Sequence, residues 1–288
     1  MGIIGQNDLF KEEMAKRLAD AMPDIEQRVL DEIFRIIDKM DSAGGNFTTG
    51  VLTADKMMEL TQVINQALTG AGYPQQVQLF MSDFGKVTIN TAEIMQQVGG
   101  VAVRRVALSE IENKWKMNTV ESLLGSGINE NFKRPILRIL DDTISTGGSI
   151  DAAKKTLTEF VKGGKDKSGK LQSYLTQTAR DSVGQLQGQQ FQSIADAVET
   201  TGVRYVGGLL NDSRGQCYRW VRELKGYIPW EDLENEIKLA YKNQTAKLEK
   251  PEGHKWSGLM PNTNRKNFLT QRGGYNCTHT AVPVRRKP

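Results

Sequence analysis

The sequence predicts a mainly α protein, with an N-terminal helical region followed by a small α+β module towards the C-terminus. Three observations predict it. Apolar residues recur at helical spacing over most of the first two hundred positions. Glycine-bearing turns such as SAGGNFTTG and GAGYP punctuate those stretches. Past Gly202 the texture changes to short β-branched runs, VRYVGGLL and TAVPV, around one amphipathic helix. The division this predicts is a helical docking region over residues 1–165, then a long helix and small α+β module over 166–288.

Each element has a local reason. In PDIEQRVLDEIFRIIDKM, Ile25, Val29, Ile33, Ile36, Ile37 and Met40 recur at helical spacing. Pro23 presets φ at its start and Asp24 accepts from exposed N–H groups. Thr53 is placed to cap TADKMMELTQVINQAL. The stretch TAEIMQQVGGVAVRRVALSEIENKW reads as helix weakened at Gly99 and Gly100, and Val101 to Val106 could equally form a strand. ILRILDDTIS stops at Gly147 and Gly148, after which Ser149 caps SIDAAKKTLTEFV.

The longest helix is KLQSYLTQTARDSVGQLQGQQFQSIADAVETTG, striped by Leu171, Leu175, Val183, Leu186, Ile194, Ala197 and Val198. Gly184 and Gly188 lie four apart on one face and invite close packing. Gly202 is expected as its left-handed stop. VRYVGGLL then reads as a strand, and WEDLENEIKLAYKN as a helix with Trp230, Leu233, Ile237 and Tyr241 on one side. TAVPV reads as a final edge strand, where Pro283 is tolerated.

Apolar content of 38% and charged content of 25% are ordinary for a soluble chain. Two cysteines are too few for a secreted disulfide framework. No apolar run reaches bilayer-spanning length. The opening MGIIGQNDLF lacks the basic and apolar regions of a signal peptide, and Gln6 breaks the myristoylation pattern. The expected setting is a reducing cytoplasm, or a larger assembly built there.

Net charge is only +4, but from Gly253 to Pro288 no Asp or Glu occurs. Lys255, Arg265, Lys266, Arg272, Arg285, Arg286 and Lys287 make that segment basic throughout. Such a stretch is an electrostatic handle for DNA or an acidic partner, with Arg285, Arg286 and Lys287 as its contacts. A solvated, solubilising segment is the competing reading.

Four sets of residues could carry chemistry. GKDKSGK matches a phosphate-loop pattern through Gly164, Gly169 and Lys170, but Leu171 stands where a Mg²⁺-binding hydroxyl belongs. A helix rather than a strand precedes it, so a basic linker is the better reading. Cys277 and His279, two apart, project to one side of an extended segment. With Cys217 and His254 they supply enough donors for tetrahedral Zn²⁺. Zinc-finger spacing is absent, so buried thiols and ordinary imidazoles compete with that reading, and a reducing compartment disfavours a Cys217–Cys277 disulfide.

Arg180, Asp212 and Arg214, with Arg219 near them, form a polar cluster expected to fix the NDSRGQC loop through ion pairing. No Ser-His-Asp arrangement can be assigned. Trp256, Phe268 and Tyr275 alternate with basic residues and could stack bases. In so short a module they serve better as core.

The order of these features resembles the phage head-morphogenesis family, the minor head proteins related to the F protein of phage Mu. The long helix carries Thr178, Ala179 and Arg180; a short strand leads to D-x-R-x-x-C at Asp212, Arg214 and Cys217. Gly226 completes C-x₈-G, and N-C-x-H follows at Asn276, Cys277 and His279, trailed by Pro283 and Val284. The likeness covers roughly residues 170–286, through order and spacing. Gly274 and Tyr275 stand where the family has His-Pro, and His279 replaces a second cysteine, so a family metal site would be rebuilt around the imidazole.

The resemblance implies a structural virion component in the head or neck of a tailed phage, made in the host bacterial cytoplasm. It implies a non-enzymatic role beside the portal and other head or neck proteins, in several copies, acting in head morphogenesis, DNA packaging or ejection. A zinc-dependent hydrolase or nuclease using the Cys/His cluster, and a general nucleic-acid-binding module, are the alternatives.

Overall fold

A computed structural model describes residues 2–40, 42–47, 53–164, 167–247, 254–275 and 277–285. In chain order the first helices are α1 (Ile3–Asp20), α2 (Met22–Ile37), α3 (Ala54–Gly70), α4 (Tyr73–Ser82), α5 (Phe84–Ile94) and α6 (Ser109–Leu124). There follow α7 (Ser126–Ile128), α8 (Arg134–Ser145), α9 (Ile150–Lys162), α10 (Lys170–Ala197), α11 (Gly215–Tyr218), α12 (Trp230–Thr245) and α13 (Phe268–Gln271). Two-residue strands β1 (Ser42–Ala43) and β2 (Asn46–Phe47) form one hairpin, and β3 (Gly163–Gly164) and β4 (Lys167–Ser168) another. The main sheet holds β5 (Gly202–Val206), β6 (Tyr227–Pro229) and β7 (Thr280–Val284) in the order β6-β5-β7. The fold is mainly α with a small α+β module near the C-terminus.

The chain divides into two compact units, and they are not the contiguous stretches 1–165 and 166–288. One comprises Met1–Glu13, Asp83–Lys116 and Arg180–Pro288; the other comprises Met14–Ser82 and Met117–Ala179. Three of the four divisions fall inside helices, in α1, α6 and α10, and the fourth falls between α4 and α5, so none coincides with the GKDKSGK stretch.

The second unit is helical apart from its two small hairpins. In α2, Pro23 sits in the first turn and Ile25, Val29, Ile33 and Ile37 of the sequence stripe are buried together with Leu30, while Ile36 and Met40 are half-buried. That face meets α3 and α9. Thr53 accepts from the Lys56 N–H and Ser149 from the Ala152 N–H, each at 3.4 Å, satisfying donors that a helix start leaves open. Asp38 pairs with Lys154 of α9 at 2.5 Å. The GKDKSGK stretch follows α9 and enters the β3–β4 hairpin, without the buried strand a phosphate loop requires.

The first unit contains the sheet. β5 is central and antiparallel to both neighbours, with Val203 opposite Ile228 on one side and Pro283 on the other. Pro283 thus lies on an edge strand, as its missing N–H requires. All five β7 residues are buried, because the wide π-type turn Met95–Gly99 packs against the strand. The Arg285 N–H donates to the Gly99 carbonyl there.

Two local expectations are corrected. Val101 to Val106 form no strand: Gly100 takes φ +70° and the chain passes through an extended link into one 3-10 turn at Arg105–Leu108. Val106 has no packed face to hold it in a sheet and is 83% exposed. Gly202 does not end α10; the helix stops at Ala197 and Gly202 opens β5, paired with Pro229 and Val284.

A polar ladder runs through this unit's helices. Gln187 on α10 accepts from Asn7 and Lys11 on α1 and donates to Thr91 on α5. Gln190 donates to Thr88, whose hydroxyl donates to Glu112 on α6. Buried polar side chains hydrogen-bonded to one another in this way tie the helices to one register. The glycine face of α10 is also used: a Cβ on Gly188 would overlap the Leu269 and Thr270 backbone, and one on Gly184 the Arg272 guanidinium.

Candidate metal centre

Three elements meet beneath the sheet. Cys217 lies on α11, Cys277 and His279 on the extended approach to β7, and Tyr205 on β5. The ligand atoms of Cys217, Cys277 and His279 all fall within 4.8 Å of one another. Cys277 Sγ is 3.8 Å from His279 Nδ1. The Tyr205 hydroxyl is 3.4 Å from Cys217 Sγ and 3.3 Å from Cys277 Sγ. Its ring stacks on the His279 imidazole, and the Trp220 ring meets it edge-on at 5.1 Å.

The backbone makes room for this packing. A Cβ on Gly273 would lie 2.6 Å from the Tyr205 hydroxyl and within 2.9 Å of both sulfurs. At Gly207, with φ +150°, it would lie 2.7 Å from the His279 ring. The loop carrying Cys277 is clamped from α11 and its lead-in. Arg214 donates to the Gly273 carbonyl at 2.9 Å and also to the Tyr275 carbonyl. Gln216 donates to the carbonyls of Ser257 at 2.8 Å and Gly273 at 3.1 Å.

The two sulfurs are electrostatically unequal. Hydrogen bonding between them, with the Cys217 thiol as donor, holds Cys277 well below the ordinary thiol range and Cys217 well above it. Burial pushes both upward, and the His279 contact adds to the lowering at Cys277. Burial, then the neighbouring sulfurs, keep the Tyr205 phenol protonated.

The donor set fits a thiophilic ion. Tetrahedral Zn²⁺, with bonds of about 2.3 Å to sulfur and 2.0–2.1 Å to nitrogen, needs donors about 3.5–4 Å apart. His279 Nε2 is buried without a hydrogen-bond partner, so no ordinary hydrogen bond at that nitrogen explains the ring's position. Among the described residues no fourth Cys, His, Asp or Glu joins the three. They also line a cleft of about 700 Å³, shared with Asp8, Glu12, Arg180, Asp212 and Arg214, from which water or a ligand group could complete the shell.

His254 is not one of the donors. It stacks on Tyr218 at 4.8 Å, and Tyr218 follows Cys217 on the same helical turn, so the two side chains diverge by about 100°. The polar cluster is also rearranged. Arg180 pairs with Glu12 at 2.7 Å, Arg214 serves the two carbonyls, and exposed Asp212 has no ion-pair partner among the described residues. Arg214 fixes the loop as expected, but through backbone acceptors matched to its donor fork. Arg219 instead makes a two-pronged pair with Glu236, at 2.7 and 2.6 Å, and Glu236 accepts from the Trp220 indole.

Trp256 and Phe268 are buried core and Tyr275 is exposed. Arg285 is exposed, while Arg286 and Lys287 lie outside the described residues. Tyr205, Gln216 and Gly273 are site residues that motif reading misses. The doublet Gly273–Gly274 ahead of Cys277 is the one sequence signal that points towards them. No helix is long and apolar enough to cross a membrane among the described residues. No protein-family model, curated protein or solved structure matches this chain.

Proposed function

We propose that this chain is a structural virion component of a tailed phage, a minor head or portal-associated protein acting in head morphogenesis, DNA packaging or ejection. In this reading the Cys217–Cys277–His279 centre staples a compact module that docks on portal, head or neck proteins, in several copies. The supporting observation is convergence: sulfurs sixty residues apart in the two resembling motifs lie beside one imidazole, and Arg214 of the first motif clamps the loop carrying the second. Such an arrangement holds a fold. With metal bound, the residues would act as ligands, Tyr205 as a hydrogen-bond donor to sulfur, and the ion as a cross-link between α11 and the approach to β7.

The test is mass spectrometry of purified particles from a host producing this chain. The reading expects the chain in the particle at a fixed copy number below that of the major capsid protein. Its absence from particles that package normally would refute the reading. Reversing the charge of Arg285, Arg286 and Lys287 is expected to lower genome retention if these residues face DNA or an acidic portal surface.

One observation favours a second reading. Three donors lining a roomy cleft match the three-ligand pattern of catalytic zinc better than the four-ligand pattern of structural zinc. A zinc-dependent hydrolase or nuclease would show phosphodiester or ester cleavage that disappears with Cys277→Ser, whereas a structural centre binds zinc without turnover.

A further inference from the structure

We propose that the groove between α1 and α5 is a contact between two copies of this chain, related by a two-fold axis through the middle of the groove. The inference depends neither on the virion reading nor on a metal. Both helical segments belong to the same compact unit. They run antiparallel to one another: Asn90 donates to Asn7 at 3.2 Å, and the Lys86 ammonium lies 5.8 Å over the Phe10 ring. The open groove they form measures about 250 Å³ and is lined by Ile3, Asn7, Phe10, Lys86, Ile89 and Glu93 among others.

The floor of this groove is complete and its rim is not. Asn7 also donates to Gln187 at 3.3 Å, so the amides at the middle are hydrogen-bonded to one another and fix the spacing of the helices. Above them Ile89 is 37% exposed, and Ile3 and Phe10 are only half-buried. The Lys86 side chain is 66% exposed, and its ion pair is with Asp83, three residues earlier. Glu93 is exposed and has no ion-pair partner among the described residues.

The charge pattern selects the occupant. Lys86, Ile89 and Glu93 follow one another at helical spacing, a single stripe over two turns that is about 10 Å long. The stripe is cationic at one end, apolar in the middle and anionic at the other. Phe10 lies beside Lys86, and the antiparallel course of α1 sets Ile3 towards Glu93. A two-fold axis crossing near Ile89 places Lys86 of each copy opposite Glu93 of the other, and Phe10 opposite Ile3. Such self-complementarity is what a contact between identical surfaces requires. The parallel arrangement would set lysine on lysine and glutamate on glutamate, so the charges specify direction as well as partner. With 11 residues α5 is about 16 Å long, which is short for a permanent interface. A weak dimer in equilibrium with monomer follows.

The test is sedimentation equilibrium of the full chain over a wide concentration series. The wild-type mass should rise with concentration towards that of two chains. Lys86→Glu and Glu93→Lys each set like charges opposite one another at both ends, and each should weaken association by about tenfold or more. Both positions are exposed, and an equimolar mixture of the two variants controls for folding. In the mixture every cross-contact regains opposite charges, so association should return to the wild-type level between unlike chains. A wild-type monomer at every concentration would leave the groove to a different protein and overturn the proposal. Single variants that associate like wild type, or a mixture no stronger than either variant alone, would place any dimer on another face and overturn it as well.

Discussion

The Tyr205 ring stacks on the His279 imidazole with centroids 5.2 Å apart and planes 14° from parallel. The stack sets the orientation of the imidazole while the same tyrosine's hydroxyl reaches both sulfurs. One β5 side chain therefore organises all three donors. Tyr205→Phe keeps the ring and removes only the hydroxyl. Partners of ligands typically contribute ten- to a hundredfold to metal affinity. Zinc affinity, measured by competition with a chromophoric chelator, should fall by about that factor while the far-ultraviolet circular dichroism stays unchanged.

Metal removal should be felt as stability. A ligand that binds only the folded state stabilises it by about 2.7 kcal/mol at a free concentration one hundred times its Kd. A strong chelator should therefore lower the Tm of the wild type by several degrees. It should leave Cys277→Ser unaffected, because that variant has lost the thiolate. Equal Tm shifts in both proteins would show that the chelator acts elsewhere.

Much of this fold is legible in the sequence because its signals are local. Thr53 and Ser149 cap helices as their positions demand, and Ile25, Val29, Ile33 and Ile37 of the α2 stripe are buried. Pro283 lies on an edge strand for the reason its chemistry requires. What is not legible depends on distant partners. Nothing near Gly202 reveals that it pairs with Pro229 and Val284 rather than ending α10. Three of the four expected metal donors converge, yet Tyr205 and Gly273 carry no local mark of their role, since both act through space. His254 matched the donor chemistry but not the geometry, because helical rotation separates its neighbour Tyr218 from Cys217.

The glycine face of α10 yields a paired prediction. At Gly188 an added methyl would overlap backbone atoms of Leu269 and Thr270, which cannot rotate away. Gly188→Ala should destabilise the protein by about 1–3 kcal/mol, the usual range for overpacking. Gly70, at the end of α3, has nothing within 4 Å of its added Cβ. Gly70→Ala should stabilise by about 0.5–1 kcal/mol through helix propensity. Urea denaturation of the two variants should move their midpoints in opposite directions.

Glu26 on α2 supplies the last prediction. It is 3% exposed, and its carboxylate accepts from the Gln172 N–H at 3.0 Å, where α10 begins. Burial raises its pKa from 4.5 to about 7, against the opposing pull of that N–H and of Lys162. Since the folded state holds the proton more tightly than the unfolded chain, Glu26 destabilises as pH rises through the window from about 4.5 to about 7. The loss is complete above that window and amounts to about 3 kcal/mol at most, at 1.36 kcal/mol per pKa unit. Glu26→Gln keeps an oxygen for the Gln172 N–H and cannot ionise. Its Tm should match the wild type near pH 4 and exceed it by several degrees at pH 8. A constant Tm difference across that range would mean that the carboxyl is not titrating in the folded protein.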